Sequence, residues 1–324
     1  MKQIVGIVLC CLLISLVMSS CSKKIDTSSV EDFSIQQDIN LNKIIQVNQT
    51  RWIIGGEKFT KSYVGRFQQN QLNAVSLPPD GLQTEIYDMA TNEEGKMVCV
   101  TNSAGLFLSS DTGNSWHFVQ SPIWREMKGV LFYSTDSMLI AGKGSSNYGY
   151  LAKGNSEALG LHVEQNTYKF ELNDIERTPN GALYACGYGS VLKSEDAGST
   201  WRFLDVKNDW FRSMYWKDNQ EGYVLGYEGS IVKTMDAGLH WEFLRNGNNS
   251  FFKRYHLAAI SGNESLVVVV GESGLVLVSR DAGSHWKTVR SFTKQNLHGI
   301  FMEGENQFMV CGAQGSLFRI TLAD

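Results

Sequence analysis

Proline is scarce in this chain, with 4 prolines in 324 residues against 31 glycines. The turns must therefore be made mostly by Gly, Asn, Asp and Ser, which suits a fold with many tight hairpins. Charged residues make up only 19% of the chain, and the formal net charge is -4. Nothing in that balance attracts nucleic acid. The length allows one large domain or two ordinary ones.

Cysteine pairs are also missing. Of the 6 cysteines, two lie in the apolar N-terminal run and a third directly follows it. The other three, an odd number, sit far apart in separate apolar runs, without a CxxC or CxxH pair, so neither a disulfide framework nor a zinc site is expected. These are Cys99, Cys186 and Cys311. We interpret them as small buried hydrophobes, and we predict no metal and no cofactor.

The N-terminus has a specific pattern. Lys2 is followed by an apolar run from Ile4 to Val17 and by Met18-Ser19-Ser20-Cys21. This resembles a bacterial lipoprotein signal peptide, and the resemblance implies cleavage before Cys21 and attachment of lipid to its thiol. We therefore expect a signal peptide at 1–20, a lipidated flexible tether at 21–31, and a folded domain at 32–324 anchored in the cell envelope.

A transmembrane anchor is the first alternative for this segment. Fourteen apolar residues in a helix span about 21 Å, which is short of a hydrocarbon core of about 30 Å. An ordinary secretory signal is the second alternative.

One phrase occurs four times, with the pattern [S/T]-x-D-x-G-x-x-W. Its aspartates are separated by 85, 40 and 45 residues, so the first gap is about two periods of the other two. Periods of this length indicate a repeat fold. The four motifs contain Asp111, Gly113 and Trp116; Asp196, Gly198 and Trp201; Asp236, Gly238 and Trp241; and Asp281, Gly283 and Trp286.

The residue types of the motif favour a locally fixed turn. The aspartate can accept hydrogen bonds from backbone N–H groups that follow it, and the glycine can adopt a positive φ. The tryptophan then begins the next strand, where its apolar face covers the hairpin and its N–H can find a partner.

Alternating strands around the motif predict units of four short strands. At this period the chain divides into seven units, the first and third without the motif. Their approximate limits are 42–77, 85–120, 125–165, 170–205, 209–245, 255–290 and 295–322. The last unit lacks its outer strand, and we expect the segment Asp32 to Gln37 to supply it.

The prediction is therefore a single all-β, seven-bladed β-propeller of four-stranded antiparallel blades, closed by an N-terminal strand. Such closure leaves no long open sheet edge. Separate sandwiches would need about 100 residues per domain, and the turns of a β-helix are far shorter than this repeat.

The motif is similar to the Asp box, also called the bacterial neuraminidase repeat. The longer phrase G-x-x-G-[S/L]-[I/V]-x-[K/V]-[S/T]-x-D-A-G-x-x-W most resembles the photosystem II stability/assembly-factor family. That resemblance implies an exported or lipid-anchored propeller that binds protein partners without catalysis. It also implies that the box is a peripheral structural hairpin, so the four aspartates are not expected to be catalytic.

A sialidase-like, glycan-binding or glycan-hydrolysing propeller is the main alternative, and a purely structural envelope protein is the third. A sialidase needs three arginines, a Tyr/Glu pair and an acidic residue on one face. The early F-R-I-P motif of that family has no counterpart here. The nearest string, Phe318 to Thr321, lacks the proline and fits an ordinary strand.

Aromatic residues next to basic ones precede or begin the innermost strands of three units, where propeller loops converge on one face. Such pairs are typical of binding hot spots. Packing of the aromatics between blades, with the arginines paired to Glu126 or Asp209, is the alternative. The candidate partner-binding residues are Trp124, Arg125, Trp210, Phe211, Arg212, Phe252, Lys253 and Arg254.

Overall fold

The computed structural model is a closed ring of seven β-sheets, as the repeat predicts. It describes residues 24–78, 83–144, 148–158, 160–164, 168–206, 209–247 and 255–323. The innermost strand of each sheet contacts the innermost strands of both neighbouring sheets, and the seventh contacts the first. The sheets are therefore blades arranged around a central channel.

The strands of each blade follow one another in the chain, from the channel outward. Two N-terminal strands, β1 (Lys24–Ile25) and β2 (Thr27–Asp32), precede the blades. Blade 1 has β3 (Asn40–Val47), β4 (Thr50–Glu57), β5 (Lys61–Gln68) and β6 (Gln71–Ala74). Blade 2 has β7 (Ile86–Thr91), β8 (Met97–Thr101), β9 (Gly105–Ser109) and β10 (His117–Gln120). Blade 3 has β11 (Glu126–Ser134), β12 (Ser137–Lys143), β13 (Gly149–Asn155) and β14 (His162–Val163).

The other four blades repeat this order. Blade 4 has β15 (Leu172–Arg177), β16 (Leu183–Gly187), β17 (Ser190–Ser194) and β18 (Arg202–Leu204). Blade 5 has β19 (Phe211–Trp216), β20 (Gly222–Gly226), β21 (Ile231–Thr234) and β22 (Glu242–Arg245). Blade 6 has β23 (Leu257–Gly262), β24 (Val267–Gly271), β25 (Val276–Ser279) and β26 (Lys287–Val289), with a short 3₁₀ turn at Glu272–Gly274. Blade 7 has β27 (Leu297–Met302), β28 (Gln307–Gly312) and β29 (Leu317–Leu322), with β2 as its outer strand.

The hydrophobic core lies between the blades. It consists of seven clusters, each formed by two adjacent blades, and one of them joins blade 7 to blade 1. The second strands are buried on both faces, which explains their continuous apolar runs such as Val267–Gly271. The stability of each blade thus depends on its neighbours around the ring.

The four Asp boxes join the third and fourth strands of blades 2, 4, 5 and 6. In the box of blade 4, Oδ1 of Asp196 accepts a hydrogen bond from the backbone N–H of Thr200 at 2.8 Å, and Oδ2 accepts one from its hydroxyl at 2.6 Å. Gly198 has φ +77 and the preceding Ala197 has φ 55. Positive φ at both central residues is that of a type I′ turn. The sequence pattern predicts a positive φ only for the glycine.

Each box also packs on the preceding blade. The hydroxyl of Tyr184 in blade 4 donates to the carbonyl of Ala237 in the box of blade 5, at 3.1 Å. Tyr223 in blade 5 donates in the same way to Ala282 of blade 6, also at 3.1 Å. The indole N–H of Trp201 donates to Gly198 within its own box, at 3.2 Å. These bonds fix the turn and attach the boxes of blades 5 and 6 to the preceding blades.

The Asp196 carboxylate should stabilise the fold at neutral pH. The hydrogen bond from the Thr200 hydroxyl, followed by that from its backbone N–H, lowers the pKa of Asp196 to about 2. A carboxyl whose pKa is lower in the folded state stabilises it above the ordinary value of 3.8, and that contribution disappears as the pH falls through about 2. We expect Asp196→Ala to lower the urea midpoint at pH 7. At acid pH the urea midpoint of the variant should approach that of the wild type.

The matched control is Ser199→Ala, because this hydroxyl in the same turn makes no hydrogen bond among the described residues. Its urea midpoint should equal that of the wild type. Equal midpoints for Asp196→Ala and Ser199→Ala at pH 7 would show that the carboxylate contributes nothing.

The N-terminal strand closes the ring, but it lies earlier than the predicted 32–37. Thr27–Asp32 pairs with β29 in antiparallel register, with Val30 opposite Ile320. An outer strand faces solvent, so its sequence TSSVED needs no apolar alternation and gives little signal. The backbone N–H groups of Phe33 and Ile35, which suggested the strand, continue the pairing by donating to Leu317 at 2.8 Å and Gly315 at 2.9 Å. Their side chains pack against the core shared by blades 7 and 1.

The chain is ordered well before residue 32, so the flexible tether predicted at 21–31 is wrong for residues 24–31. Lys24 and Ile25 form a fifth, parallel strand on the outer edge of blade 6, and Ile25 is buried. The two N-terminal strands therefore fasten blades 6 and 7 together from outside. The predicted signal peptide and Cys21 lie outside the described residues.

Candidate partner-binding face

The two faces of the ring are different. We call one face of the ring the upper face; in every blade the first strand begins there, and the turn from the second strand to the third lies there. The Asp boxes lie on the opposite face, which we call the box face. Five of the ten large hydrophobic residues that are exposed in the described chain lie on the upper face, and all five are aromatic. They are Phe59, Trp124, Tyr148, Tyr188 and Trp210. The exposed aromatics are therefore concentrated on one face.

Four rings form a continuous row across blades 4 to 6 on this face. Trp210 makes an edge contact with Tyr188, with centroids 6.2 Å apart, and lies 5.8 Å from Tyr227. Tyr227 stacks on His256 at 4.3 Å. Tyr188 is 64% exposed and Trp210 36% exposed. We call these four residues the aromatic row.

Arg212 supplies positive charge beside the aromatic row. Its side chain is exposed, and its guanidinium lies 5.2 Å from the centre of the Tyr227 ring. It makes no ion pair with any residue that the structure describes. Asp209, its expected partner, instead accepts hydrogen bonds from the backbone N–H groups of Trp210 at 2.6 Å and Ser230 at 3.1 Å. Arg212 is thus available to a ligand.

Blade 3 also places predicted residues on the upper face. Trp124 is 76% exposed. The Arg125 guanidinium lies 5.6 Å from the centre of the Tyr150 ring. Glu126 does not pair with Arg125 but with Lys128, at 2.9 Å. Trp124 is therefore exposed on this face, whereas Arg125 is half-buried.

The prediction that Phe211 is a partner-binding residue is wrong, because Phe211 is fully buried in the core between blades 4 and 5. Every blade has a buried apolar residue at this first-strand position. The set is Leu41, Ile86, Met127, Leu172, Phe211, Leu257 and Leu297. Phe252, Lys253 and Arg254 lie outside the described residues.

A β-bulge follows that core position in every blade, and sequence reasoning missed it. The register of each first strand shifts there by one residue. The residues in the bulge are Asn42, Tyr87, Lys128, Asn173, Arg212, Ala258 and His298. They form one ring at the upper end of the channel. Arg212 belongs to this ring of bulge residues, whereas Arg125 lies two residues before the core position of its own blade. The aromatic and basic pairs of blades 3 and 5 therefore do not occupy equivalent positions.

Carboxylates lie in the channel below this ring. Asp88 pairs with Lys43, and its Oδ2 accepts a hydrogen bond from the backbone N–H of Val130 in the next blade, at 2.9 Å. Asp174 accepts one from Met214 in the same way, at 2.7 Å. These two aspartates therefore connect neighbouring blades. Recurrence of Asp one residue after the bulge is the signal that could have found them.

Glu176 differs from the two aspartates, because among the described residues it accepts no hydrogen bond from the next blade. Burial, followed by the negative charge of Asp174, raises the pKa of Glu176 above its ordinary range. Burial and then the positive charge of Arg212 lower the pKa of His298 to about 4, so its ring is neutral at physiological pH. No group of three or more metal-ligating side chains occurs in the described chain.

Comparison with known proteins agrees with this geometry. Residues 204–299, from the last strand of blade 4 to the first strand of blade 7, match the family of the photosynthesis system II assembly factor YCF48. This match covers less than a third of the chain. No curated protein sequence matches it.

Solved structures similar to this propeller include two of YCF48. The YCF48 structure bound to a D1 peptide is 14% identical, with a TM-score of 0.74 over 93% of this chain and 99% of that one. YCF48 from Cyanidioschyzon merolae is 13% identical, with a TM-score of 0.70 over 91% and 99%. Virginiamycin B lyase from Staphylococcus aureus is 11% identical, with a TM-score of 0.70 over 91% and 99%. At these identities the likeness shows the fold alone.

One further finding concerns the membrane. In the part of the chain that the structure describes, no helix has the length and apolar composition needed to cross a bilayer.

Proposed function

We propose that this propeller is a non-enzymatic, assembly-factor-like scaffold that binds a protein or peptide partner on its upper face. The observation that carries this proposal is the aromatic row with the unpaired Arg212 beside it. The YCF48 structure with a bound D1 peptide supports it, as an example of this fold holding a peptide.

The chemistry of the face fits a peptide better than a small polar molecule. Trp, Tyr and Arg are the residues most enriched in binding hot spots, because they contribute large contact areas and directed hydrogen bonds. Trp124 and Tyr188 are exposed at separate points of the face, in blades 3 and 4. A partner that contacts both must extend across blades, so we expect an extended segment or a protein surface.

Attachment to a membrane is part of the same proposal. Lipid on Cys21 would hold the propeller at the cell envelope, on the periplasmic face or at the outer membrane. A single acyl chain binds membranes weakly, whereas a multiply acylated N-terminal cysteine gives stable anchoring. Intact mass of the protein extracted from membranes tests this directly.

Site-specific photo-crosslinking tests the binding face in the native cell. A photoreactive phenylalanine at Tyr188 or Trp124 should capture a discrete partner protein, whereas the same group at Phe203, exposed on the outer strand of blade 4, should not. Arg212→Ala and Trp210→Ala should each weaken binding of the captured partner about tenfold or more. Capture at Phe203 but at neither upper-face position would refute the proposed face.

The glycan alternative keeps one observation in its favour, Glu176 in the channel with its raised pKa. Its two neighbouring aspartates are occupied by blade-to-blade hydrogen bonds. Glycan binding that is lost in Glu176→Gln and retained in Arg212→Ala would support this alternative over the protein-binding face.

A further inference from the structure

The N-terminus leaves the ring on the side of the box face. Lys24 pairs with Thr288, and Ile25 with Val289, in parallel with β26. Strand β26 begins directly after the box tryptophan Trp286 and runs toward the upper face. The chain that precedes Lys24 must therefore continue from the box-face rim of blade 6.

The segment between this rim and the proposed lipid is short. Cys21 precedes Lys24 by three residues, and an extended chain spans at most about 3.3–3.6 Å per residue. The Cα atom of Cys21 therefore lies within about 11 Å of that of Lys24, even at full extension. A bilayer holding that lipid must come close to the rim of blade 6, a conclusion that rests on the lipid anchor proposed above.

The neighbouring box, in blade 5, carries unusual exposed residues. Met235 is 60% exposed and Leu239 is 63% exposed. The same two positions in the other boxes are polar: Ser110 and Asn114, Glu195 and Ser199, Arg280 and Ser284. Phe243, in the strand that follows this box, is 38% exposed. Met235, Leu239 and Phe243 form what we call the box-5 patch.

The box motif does not require these apolar residues. Its hydrogen bonds use Thr234, Asp236 and His240, which lie between and beside the two positions. Exposed basic residues near the rim, such as Lys24 and Lys287, are offset by exposed acids such as Asp26 and Glu242. Apolar contact, rather than net charge, is what distinguishes this surface.

We infer that the box-face rim of blades 5 and 6 rests on the lipid surface, with Met235 and Leu239 at the interface. The occupant is the bilayer leaflet that holds the Cys21 lipid. Aliphatic side chains beside a lipid anchor add buried apolar area to it. The upper face, on the other side of the ring, then points away from the membrane.

Lipid-dependent quenching of a fluorophore tests this orientation. The lipid-modified protein is placed in vesicles of phosphatidylethanolamine and phosphatidylglycerol that contain a nitroxide-labelled lipid. An environment-sensitive fluorophore is attached through Leu239→Cys or, as the matched control, through Phe59→Cys on the upper face, which is 75% exposed. The three native cysteines of the propeller are buried. Quenching should be several times stronger at position 239 than at position 59.

Equal quenching at the two positions, or stronger quenching at 59, overturns the inference. A fluorophore at 239 that is shielded from water but not quenched by the lipid nitroxide also overturns it and indicates a protein contact instead. If intact mass shows no acyl group on Cys21, the anchor itself is wrong. In that case a histidine tag before residue 21, bound to nickel-chelating lipid, can replace the acyl anchor. The same quenching measurement then decides separately whether the box-5 patch contacts lipid.

Discussion

Replacing Glu303 with alanine should destabilise the propeller by about 3 kcal/mol, since it leaves two arginines without their shared partner. The Glu303 side chain is 2% exposed; it accepts a hydrogen bond from the Nε–H of Arg319 at 2.6 Å and forms an ion pair with Arg51 at 2.8 Å. These arginines belong to blades 7 and 1. Arg319 also reaches Glu31 of the closing strand, at 3.3 Å. One carboxylate thus connects the last blade, the first blade and the N-terminal strand.

The effect should appear as a lower urea midpoint by intrinsic fluorescence. Glu305→Ala is the matched control, because Glu305 is exposed two residues away in the same turn; surface changes of this kind usually stay within about 0.5 kcal/mol. If the two variants unfold at the same urea concentration, the ion pairs do not hold the closure.

The repeat could be predicted from sequence because its chemistry is local. The turn at Asp196 depends on Ser194, Gly198 and Thr200, all within the motif, so the pattern itself specifies the hairpin. The closing strand is different. Thr27–Asp32 owes its place to hydrogen bonding with β29, nearly three hundred residues later, and its side chains are mostly exposed. Polar outer strands carry little sequence signal.

The binding face could be predicted only in part, for a related reason. The sequence placed Trp124, Arg125, Trp210 and Arg212 near the starts of first strands. In the structure Arg125 is half-buried there and the other three are exposed. It could not tell Phe211 from its neighbours, because alternate residues of a strand point to opposite sides and the register is set by pairing. The bulge at Arg212 adds one more residue to that register.

A glycine in the second strand accompanies the bulge in most blades, and this glycine carries the other large expected effect. In six of the seven blades the residue paired with the buried core position of the first strand is glycine. Blade 2 has Thr101 there instead. In blade 4 a Cβ on Gly187 would lie 1.8 Å from the carbonyl oxygen of Glu171. Backbone, rather than a flexible side chain, occupies that space.

Gly187→Ala should therefore cost about 2–3 kcal/mol, because the first strand of blade 4 must move away from the second to admit one methyl group. The core between blades 3 and 4, which contains Leu172 and Leu183, would loosen with it. Gly304→Ala is the matched control, since a Cβ there meets nothing within 4 Å. Urea midpoints of the two variants measure the difference. A Gly187→Ala protein as stable as Gly304→Ala would mean that the close approach at the bulge is not what requires glycine.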